Sequence, residues 1–217
     1  MKKAVIFDFD GVIADSEGMH LQAFNAAARQ AGFPEQVLPT MHDYAGSADA
    51  DAYARLCLRA GQGVDPDAFA SFIALKWERA ATLIGEGHVR AYPGTVRLIH
   101  AARDRAAIAV CSGARRREID LMLEALGLAG VFRTIVSADD VPKAKPDPAG
   151  YVLTVRRLGL TPRDCVVIED TDKGIAAAKE AGLKVVAVAH TLQRERLIAA
   201  DVVMDSTDGL TVVALLA

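Results

Sequence analysis

Residues 165–188 read CVVIEDTDKGIAAAKEAGLKVVAV and contain one complete strand–helix–strand unit. Residues 165–168 form a short apolar run, which is typical of a strand buried on both faces. Residues 175–181 predict a helix that Gly182 ends, and residues 184–188 repeat the strand pattern. A strand, a helix and a second strand in this order predict parallel pairing, with the helix covering one face of the sheet.

The same alternation extends toward the N-terminus from this unit. Residues 107–111 and 134–137 predict two further strands. A helical stripe follows each of them, at 119–126 before Gly127 and at 151–158 before Gly159. Another strand, at residues 3–9, belongs to the same sheet. The predicted fold class is therefore α/β, a doubly wound, Rossmann-like parallel sheet with helices on both faces.

A long helical insertion separates the first strand from the others. Residues 16–87 show helical patterns and no convincing strand, and Asp65-Pro66 is a typical helix start. The predicted domains are a core at 1–15 and 88–217 and a helical cap at 16–87. Gly85, Gly87, Pro93 and Gly94 bracket the return linker and are interpreted as a hinge.

The composition of the chain argues against some classes of function, such as nucleic-acid binding and membrane insertion. The chain has 217 residues, of which 52% are hydrophobic and 24% charged, the balance of a globular protein. A formal net charge of −3 gives no electrostatic reason to expect nucleic acid, and no apolar run predicts a membrane partner. Three widely spaced cysteines, Cys57, Cys111 and Cys165, have no metal-ligand spacing, and the N-terminus lacks a signal-peptide pattern. We therefore expect a cytoplasmic protein.

Polar side chains follow several of the predicted strands. Asp8-Phe9-Asp10-Gly11 ends the first strand, and ligands bind at that edge of an open parallel sheet. One aspartate could be a helix cap, but two aspartates around an aromatic residue, with a glycine turn after them, indicate a site. Ser112, at an expected helix start, and Glu169-Asp170 follow later strands, and Lys145 lies on a loop before a helix. Stability alone does not explain so many polar groups at strand ends.

These motifs in this order resemble those of the haloacid dehalogenase superfamily. The segments that carry the resemblance are Asp8–Val12 (DFDGV), Ser112, residues 145–148 (KPDP) and residues 169–175 (EDTDKGI). The helical insertion is similar to the cap of the branch that includes beta-phosphoglucomutase and phosphoglycolate phosphatase. The resemblance covers essentially the whole chain and implies a Mg²⁺-dependent phosphatase acting on a small phosphorylated metabolite.

The resemblance implies a role for each motif. Asp8 attacks phosphorus and forms an aspartyl-phosphate, and Asp10 acts as general acid and then base. Ser112 and Lys145 bind the phosphoryl oxygens. Mg²⁺ is held by Asp8, the Asp10 carbonyl and Asp170, and Glu169 is either a ligand or a partner behind the ligands. Clustered carboxylates would repel one another without such a cation.

Two residues of the predicted cap, His20 and Lys76, are candidates for contacting the substrate. Lys76 lies on the apolar stripe of its helix, and its ammonium could instead extend to solvent. His20 could equally be structural. Relatives in this branch often carry a basic residue at the position of Lys76, and a histidine near the acid/base like His20.

One departure from the beta-phosphoglucomutases bears on the reaction. They have an arginine three residues after a cap glycine, whereas this chain reads Gly46-Ser47-Ala48-Asp49. An aspartate would repel a second phosphate, which favours hydrolysis over the mutase reaction, although Arg55 could supply a positive charge. A sugar phosphomutase, a receiver-like phosphoacceptor and a non-catalytic binding relative are the alternatives. The substrate and the oligomeric state stay open, and a monomer is compatible with the sequence.

Overall fold

The computed structural model describes residues 2–217, which form two compact units. One unit joins the residues up to Asp15 to Arg90–Ala217, and the other is Ser16–Val89. The strands, numbered along the chain, are β1 (Ala4–Phe7), β2 (Ala14–Asp15), β3 (Arg90–Ala91), β4 (Ala107–Cys111), β5 (Thr134–Val136), β6 (Cys165–Glu169), β7 (Lys184–Val188) and β8 (Val202–Met204).

The α-helices divide between the two units. The helices of the Ser16–Val89 unit are α1 (Glu17–Gln30), α2 (Met41–Tyr44), α3 (Asp49–Arg59) and α4 (Pro66–Gly85). Those of the other unit are α5 (Pro93–Arg103), α6 (Arg116–Ala125), α7 (Ala149–Leu158), α8 (Asp172–Glu180) and α9 (Val212–Leu216). None of these helices, nor any other in residues 2–217, is long and apolar enough to span a bilayer.

Six strands form one parallel sheet in the order β5-β4-β1-β6-β7-β8. Alternate strand residues such as Ile6, Ala109 and Val167 pack in one hydrophobic cluster with residues of α7 and α8. The intervening residues, such as Val5 and Val110, are also fully buried, so both faces of the sheet are covered. The predicted doubly wound α/β fold is confirmed.

The Ser16–Val89 unit is helical, as its pattern predicts. Asp65 caps α4 by accepting hydrogen bonds from the backbone N–H of Asp67 at 2.8 Å and Ala68 at 3.1 Å, and Pro66 is the first helical residue. An aromatic cluster fills the core of the unit, with Phe24 and Tyr53 each contacting the ring of Phe72 at a centroid distance of 4.8 Å.

Two sequence predictions about this fold are wrong in detail. The first strand ends at Phe7, two residues early, because the chain bends at Phe9 and turns at residues 11–13. Pro93 and Gly94 lie in the first turn of α5 and not in a linker, and a Cβ on Gly94 would lie 2.6 Å from Asp208 Oδ1. The linkers instead pair as the short antiparallel ribbon β2–β3. The sequence pattern also gives no indication of the edge strand β8.

Candidate active site

Parallel register brings the predicted polar residues to one edge of the sheet. β1 lies between β4 and β6, with Phe7 paired to Val110 on one side and Ile168 on the other. Asp8 therefore leaves β1 where Cys111 and Glu169 end their strands, and its N–H donates to the Ile168 carbonyl at 2.9 Å. Two strands that are distant in sequence thus border the first carboxylate of the DFDG motif.

Lys145 reaches this edge from the loop between β5 and α7. Its Nζ donates to Asp8 Oδ1 at 2.7 Å, to Glu169 Oε1 at 2.6 Å and to the Cys111 carbonyl at 3.1 Å. Its side chain is 16% exposed, so the ammonium is largely withdrawn from water. An ammonium has three donor protons, and this one has three acceptors.

Both oxygens of the Glu169 carboxylate accept hydrogen bonds from other groups of the protein. Besides the Lys145 ammonium, Oε1 accepts from the Tyr151 hydroxyl at 2.9 Å. Oε2 accepts from the N–H of Asp170 at 2.9 Å, and from the N–H and hydroxyl of Thr171 at 3.1 and 3.0 Å. Five hydrogen bonds exceed the roughly four lone-pair positions of a carboxylate. These contacts fix the position of Glu169 next to Lys145.

Burial and charge shift the pKa values of this cluster. Burial, followed by the negative charge of Glu169, raises the pKa of Asp8 from its ordinary 3.8 to about 7, although Lys145 opposes the change. Burial also acts to raise the pKa of Glu169, but Lys145 and the backbone N–H groups outweigh it and hold that pKa below the ordinary value. Burial lowers the pKa of Lys145, but Asp8 and Glu169 outweigh it and hold that pKa well above the usual range.

The carboxylates of this edge fit a divalent cation. Asp8, Glu169 and Asp170 each place an oxygen within 4.8 Å of the others in buried positions, although both Glu169 oxygens also accept hydrogen bonds from the protein. Three buried carboxylates beside a single lysine leave an excess of negative charge, and hard oxygen ligands suit Mg²⁺. A Cβ on Gly11 would lie 1.8 Å from Asp170 Oδ2, so a glycine there makes room for the carboxylate.

A divalent cation bound at this edge would compete with a proton at Asp8. Because the folded pKa of Asp8, about 7, lies above its ordinary 3.8, the metal-free protein loses stability as the pH rises between these values. A cation that binds the ionised carboxylate restores that stability. We expect the apparent dissociation constant for Mg²⁺ to be about tenfold larger at pH 6 than at pH 8.

Calorimetric titration of Mg²⁺ into metal-free protein measures this difference. Repeating the titration in buffers of different ionisation enthalpy gives the number of protons released. We expect a release of up to one proton near pH 6 and almost none at pH 8. An affinity that does not change between the two pH values would contradict the coupling of Asp8 to the metal.

Ser112 lies directly after β4 and is buried. Its Oγ accepts from the Ala114 N–H at 3.0 Å, and it lines a cavity of about 170 Å³ together with Lys145 and Tyr151. The expectation that Ser112 lies at a helix start is wrong, because α6 begins at Arg116, four residues later. Ser112 and Lys145 both line this cavity, but Asp8, Asp10, Glu169 and Asp170 do not, so the cavity lies beside the carboxylate cluster and does not include it.

Asp10 lies in the turn between β1 and β2. The turn is closed by N–H groups of Ile13 and Ala14, which donate to the Phe9 carbonyl at 2.8 and 3.0 Å. Asp10 is half-buried, and its charge contributes to the raised pKa of Asp8. The charge of Asp10 therefore acts on the carboxyl group of Asp8.

His20 and Lys76 belong to the helical unit, on α1 and α4, and both are buried. The interpretation that Lys76 extends to solvent is wrong. Its side chain is only 8% exposed, and its Nζ contacts both carboxylate oxygens of Asp49, at 2.6 and 2.7 Å. The Tyr44 hydroxyl donates to the same carboxylate at 3.0 Å. The positive charge of Lys76 therefore offsets the negative charge of Asp49.

Sequence reasoning missed Tyr151 and Thr171 as members of the site. The sequence pattern places Tyr151 only on the buried stripe of α7, and Thr171 only within a motif, yet both donate to Glu169. Thr171 also caps α8 by accepting from the Gly174 N–H at 3.1 Å. The presence of a tyrosine on a fully buried helix stripe could have indicated this contact, because a buried hydroxyl needs a hydrogen-bond partner.

Comparison with known proteins agrees with the family resemblance that the sequence motifs indicate. The family model described as haloacid dehalogenase-like hydrolase matches residues 5–188. Protein CbbY of Rhodobacter capsulatus is 31% identical over 192 residues, 85% of this chain and 84% of that protein. Validoxylamine A 7'-phosphate phosphatase of Streptomyces hygroscopicus subsp. limoneus is 30% identical over 208 residues, 94% of this chain and 93% of that protein.

A solved structure supports the same relationship. CbbY from Rhodobacter sphaeroides in complex with xylulose-(1,5)bisphosphate superposes with a TM-score of 0.86 at 27% identity, and all of both chains is covered. The match to the family model spans most of the residues, including every motif quoted above. The chain therefore belongs to the haloacid dehalogenase-like hydrolase family, and it is an enzyme of the phosphatase class that its motifs predicted.

Proposed function

We propose that this enzyme is a Mg²⁺-dependent phosphatase that hydrolyses a small phosphorylated metabolite through an aspartyl-phosphate on Asp8. The contact between Asp8 Oδ1 and Lys145 Nζ, at 2.7 Å beside two further buried carboxylates, carries this proposal. It supports the proposal because a carboxylate beside a fixed positive charge is the arrangement that transfer of a phosphoryl dianion requires.

In the first step Asp8 attacks phosphorus, the P–O bond to the leaving alcohol breaks, and Asp10 donates a proton to that oxygen. In the second step Asp10 removes a proton from water, the water attacks phosphorus, and the bond to Asp8 breaks. The products are an alcohol and inorganic phosphate, and Asp8 and Asp10 return to their starting states. Burial of Asp8 strengthens its interactions with the transferring group, because less water screens them.

The remaining groups hold the phosphoryl oxygens and the metal. Ser112 and Lys145 bind phosphoryl oxygens, and Lys145 contacts the nucleophile Asp8 at 2.7 Å. Asp8, the Asp10 carbonyl and Asp170 would hold Mg²⁺, with Glu169 behind them orienting Lys145. Bound there, the cation neutralises charge on the transferring phosphoryl group.

The division of labour between the two units is also a proposal. We assign the chemistry to a core of 1–15 and 88–217, and substrate contacts to a cap of 16–87 through His20 and Lys76.

Relatives suggest where to look for the substrate, since one is named for a 7'-phosphate of validoxylamine A and one structure holds a sugar bisphosphate. Sugar phosphates and bisphosphates are therefore the first class to screen. Three free, buried cysteines support the cytoplasm as the location.

Steady-state release of p-nitrophenol from p-nitrophenyl phosphate tests the proposal. We expect multiple turnovers with Mg²⁺, no turnover with excess EDTA, and recovery when Mg²⁺ is restored. A receiver-like phosphoacceptor or a binding relative would not turn over. Full activity in EDTA would contradict a role for the metal, and no activity on any phosphorylated metabolite would contradict the phosphatase.

Hydrolysis and the mutase reaction can be separated with a sugar phosphate. A mutase needs a positive charge to hold the second phosphate of a bisphosphate, but Asp49 offsets the charge of Lys76 at 2.6 Å. We expect beta-glucose 1-phosphate, if it is accepted, to give inorganic phosphate. Phosphorus NMR of the reaction, primed with a trace of glucose 1,6-bisphosphate, measures both products. Glucose 6-phosphate forming faster than inorganic phosphate would establish the mutase instead.

A further inference from the structure

Three successive carbonyl groups after Asp10 are held by groups that are distant in sequence. We call residues 8–14 the DFDG loop. The donors are His190 Nδ1 to the Gly11 oxygen at 2.8 Å, Thr95 Oγ1 to the Val12 oxygen at 2.7 Å, and the Tyr92 N–H to the Ile13 oxygen at 3.0 Å. The rotation of these peptide groups is therefore fixed by the surrounding structure as well as by the turn itself.

His190 contacts the carbonyl group that follows Asp10 most closely in the sequence. It follows β7 by two residues, and its ring stacks on the Tyr92 ring at a centroid distance of 4.0 Å and an interplanar angle of 16°. A carbonyl oxygen can only accept a hydrogen bond, so Nδ1 carries the proton. The stack holds the ring in the orientation that directs Nδ1 at Gly11.

Gly11 is a position where such a restraint matters. Its φ is +75°, and glycine has more backbone freedom than any other residue. Its N–H donates to the Ala14 carbonyl at 2.8 Å, so the peptide group before its Cα is tied locally, and His190 ties the one after it. A side chain could not provide this rigidity, because a Cβ would lie 2.4 Å from Thr191 Oγ1 and closer still to Asp170.

We propose that His190 is a positioning residue for the general acid/base. Asp10 directly precedes Gly11, so rotation of the Gly11 peptide groups changes the direction in which the Asp10 backbone and side chain leave the loop. By fixing the Gly11 carbonyl, His190 holds Asp10 in line with the leaving oxygen. Misplacement of a reacting group by about 1 Å can cost a hundredfold in rate. This inference rests on the proposed function of Asp10.

Two substitutions separate the hydrogen bond from the stack. His190→Phe keeps an aromatic ring against Tyr92 but has no donor, whereas His190→Asn loses the ring and keeps an N–H close to the position of Nδ1. We expect His190→Phe to lower kcat about tenfold with KM within about twofold, and His190→Asn to retain most of kcat. His100→Phe, on the exposed side of α5, is the matched control and should behave as wild type.

A purely structural role for His190 predicts the opposite order, since the aromatic variant preserves the packing. Equal kcat for His190→Phe and wild type, or equal losses in both variants, would overturn the inference. Hydrogen exchange of the amides in the DFDG loop is the second readout, and it requires no turnover. We expect faster exchange in His190→Phe than in His190→Asn.

The tautomer of His190 gives a third readout in the wild-type protein. Proton–nitrogen correlation of the His190 ring by NMR should show a protonated Nδ1, and an unprotonated Nδ1 would overturn the inference. Absence of phosphatase activity in the wild type would contradict the proposed function instead. The exchange and tautomer measurements would still test the restraint on Gly11.

Discussion

Replacing Asp8 with asparagine should abolish phosphatase turnover and leave the fold intact. An amide cannot attack phosphorus as a carboxylate does, so no aspartyl-phosphate can form, and we expect a loss of at least about 10⁴-fold in kcat. Asparagine has nearly the shape of aspartate, and its Oδ1 can still accept from Lys145. Because the pKa of Asp8 is raised to about 7, the neutral side chain suits the buried position of the metal-free protein.

Steady-state kinetics should therefore show a large effect of this substitution, and thermal unfolding a small one. We expect a free energy of unfolding within about 1 kcal/mol of wild type at pH 7. Asp104→Asn is the matched control, since the Asp104 side chain is 75% exposed and far from the DFDG motif in sequence. Activity of Asp8→Asn within tenfold of wild type, with an unchanged circular dichroism spectrum, would exclude Asp8 as the nucleophile.

Replacing Lys145 with methionine should lower both activity and stability. The substitution keeps an unbranched side chain but removes the positive charge that contacts Asp8 and Glu169. Glu169 is completely buried, and removing the partner of a buried charge costs about 3–5 kcal/mol. We expect kcat to fall about 10²–10³-fold, because a fixed positive charge no longer offsets the charge of the phosphoryl group.

Lys143→Met is the matched control for this prediction. Lys143 lies two residues away on the same loop, but its side chain is 76% exposed and its distance to Asp147 is 3.9 Å. An exposed pair of this kind contributes little, so we expect near wild-type kcat and stability. If both methionine variants lost activity equally, the role assigned to Lys145 would be refuted.

Much of the fold followed from local patterns in the sequence. The predicted strands 107–111 and 184–188 coincide with β4 and β7, because a strand buried on both faces needs a continuous apolar run. Asp65 and Pro66 start α4 as predicted, because a capping carboxylate and a proline act on their own backbone. Such signals depend on neighbouring residues, so the sequence displays them directly.

Other elements lack a local signal. β8 is a three-residue edge strand, and β2 and β3 are two residues each, too short for a period of two to be recognised. Pro93 and Gly94 have the composition of a linker but belong to α5, where Gly94 is needed because Asp208 and Thr207 pack against it. Contacts between distant segments decided these assignments.

The sequence by itself determined the family, the parallel sheet and the identity of the polar residues at its edge. Motifs and hydrophobic periodicity depend only on the order of residues along the chain, so they can be recognised without the structure. Only the tertiary structure decided which of these residues pair. It joined Lys145 to Asp8 across 137 positions, His190 to Gly11 across 179, and Lys76 to Asp49 within the helical unit. The physical reason is that a buried charge or donor takes the partner that packing brings within about 3 Å, and sequence spacing does not encode that distance.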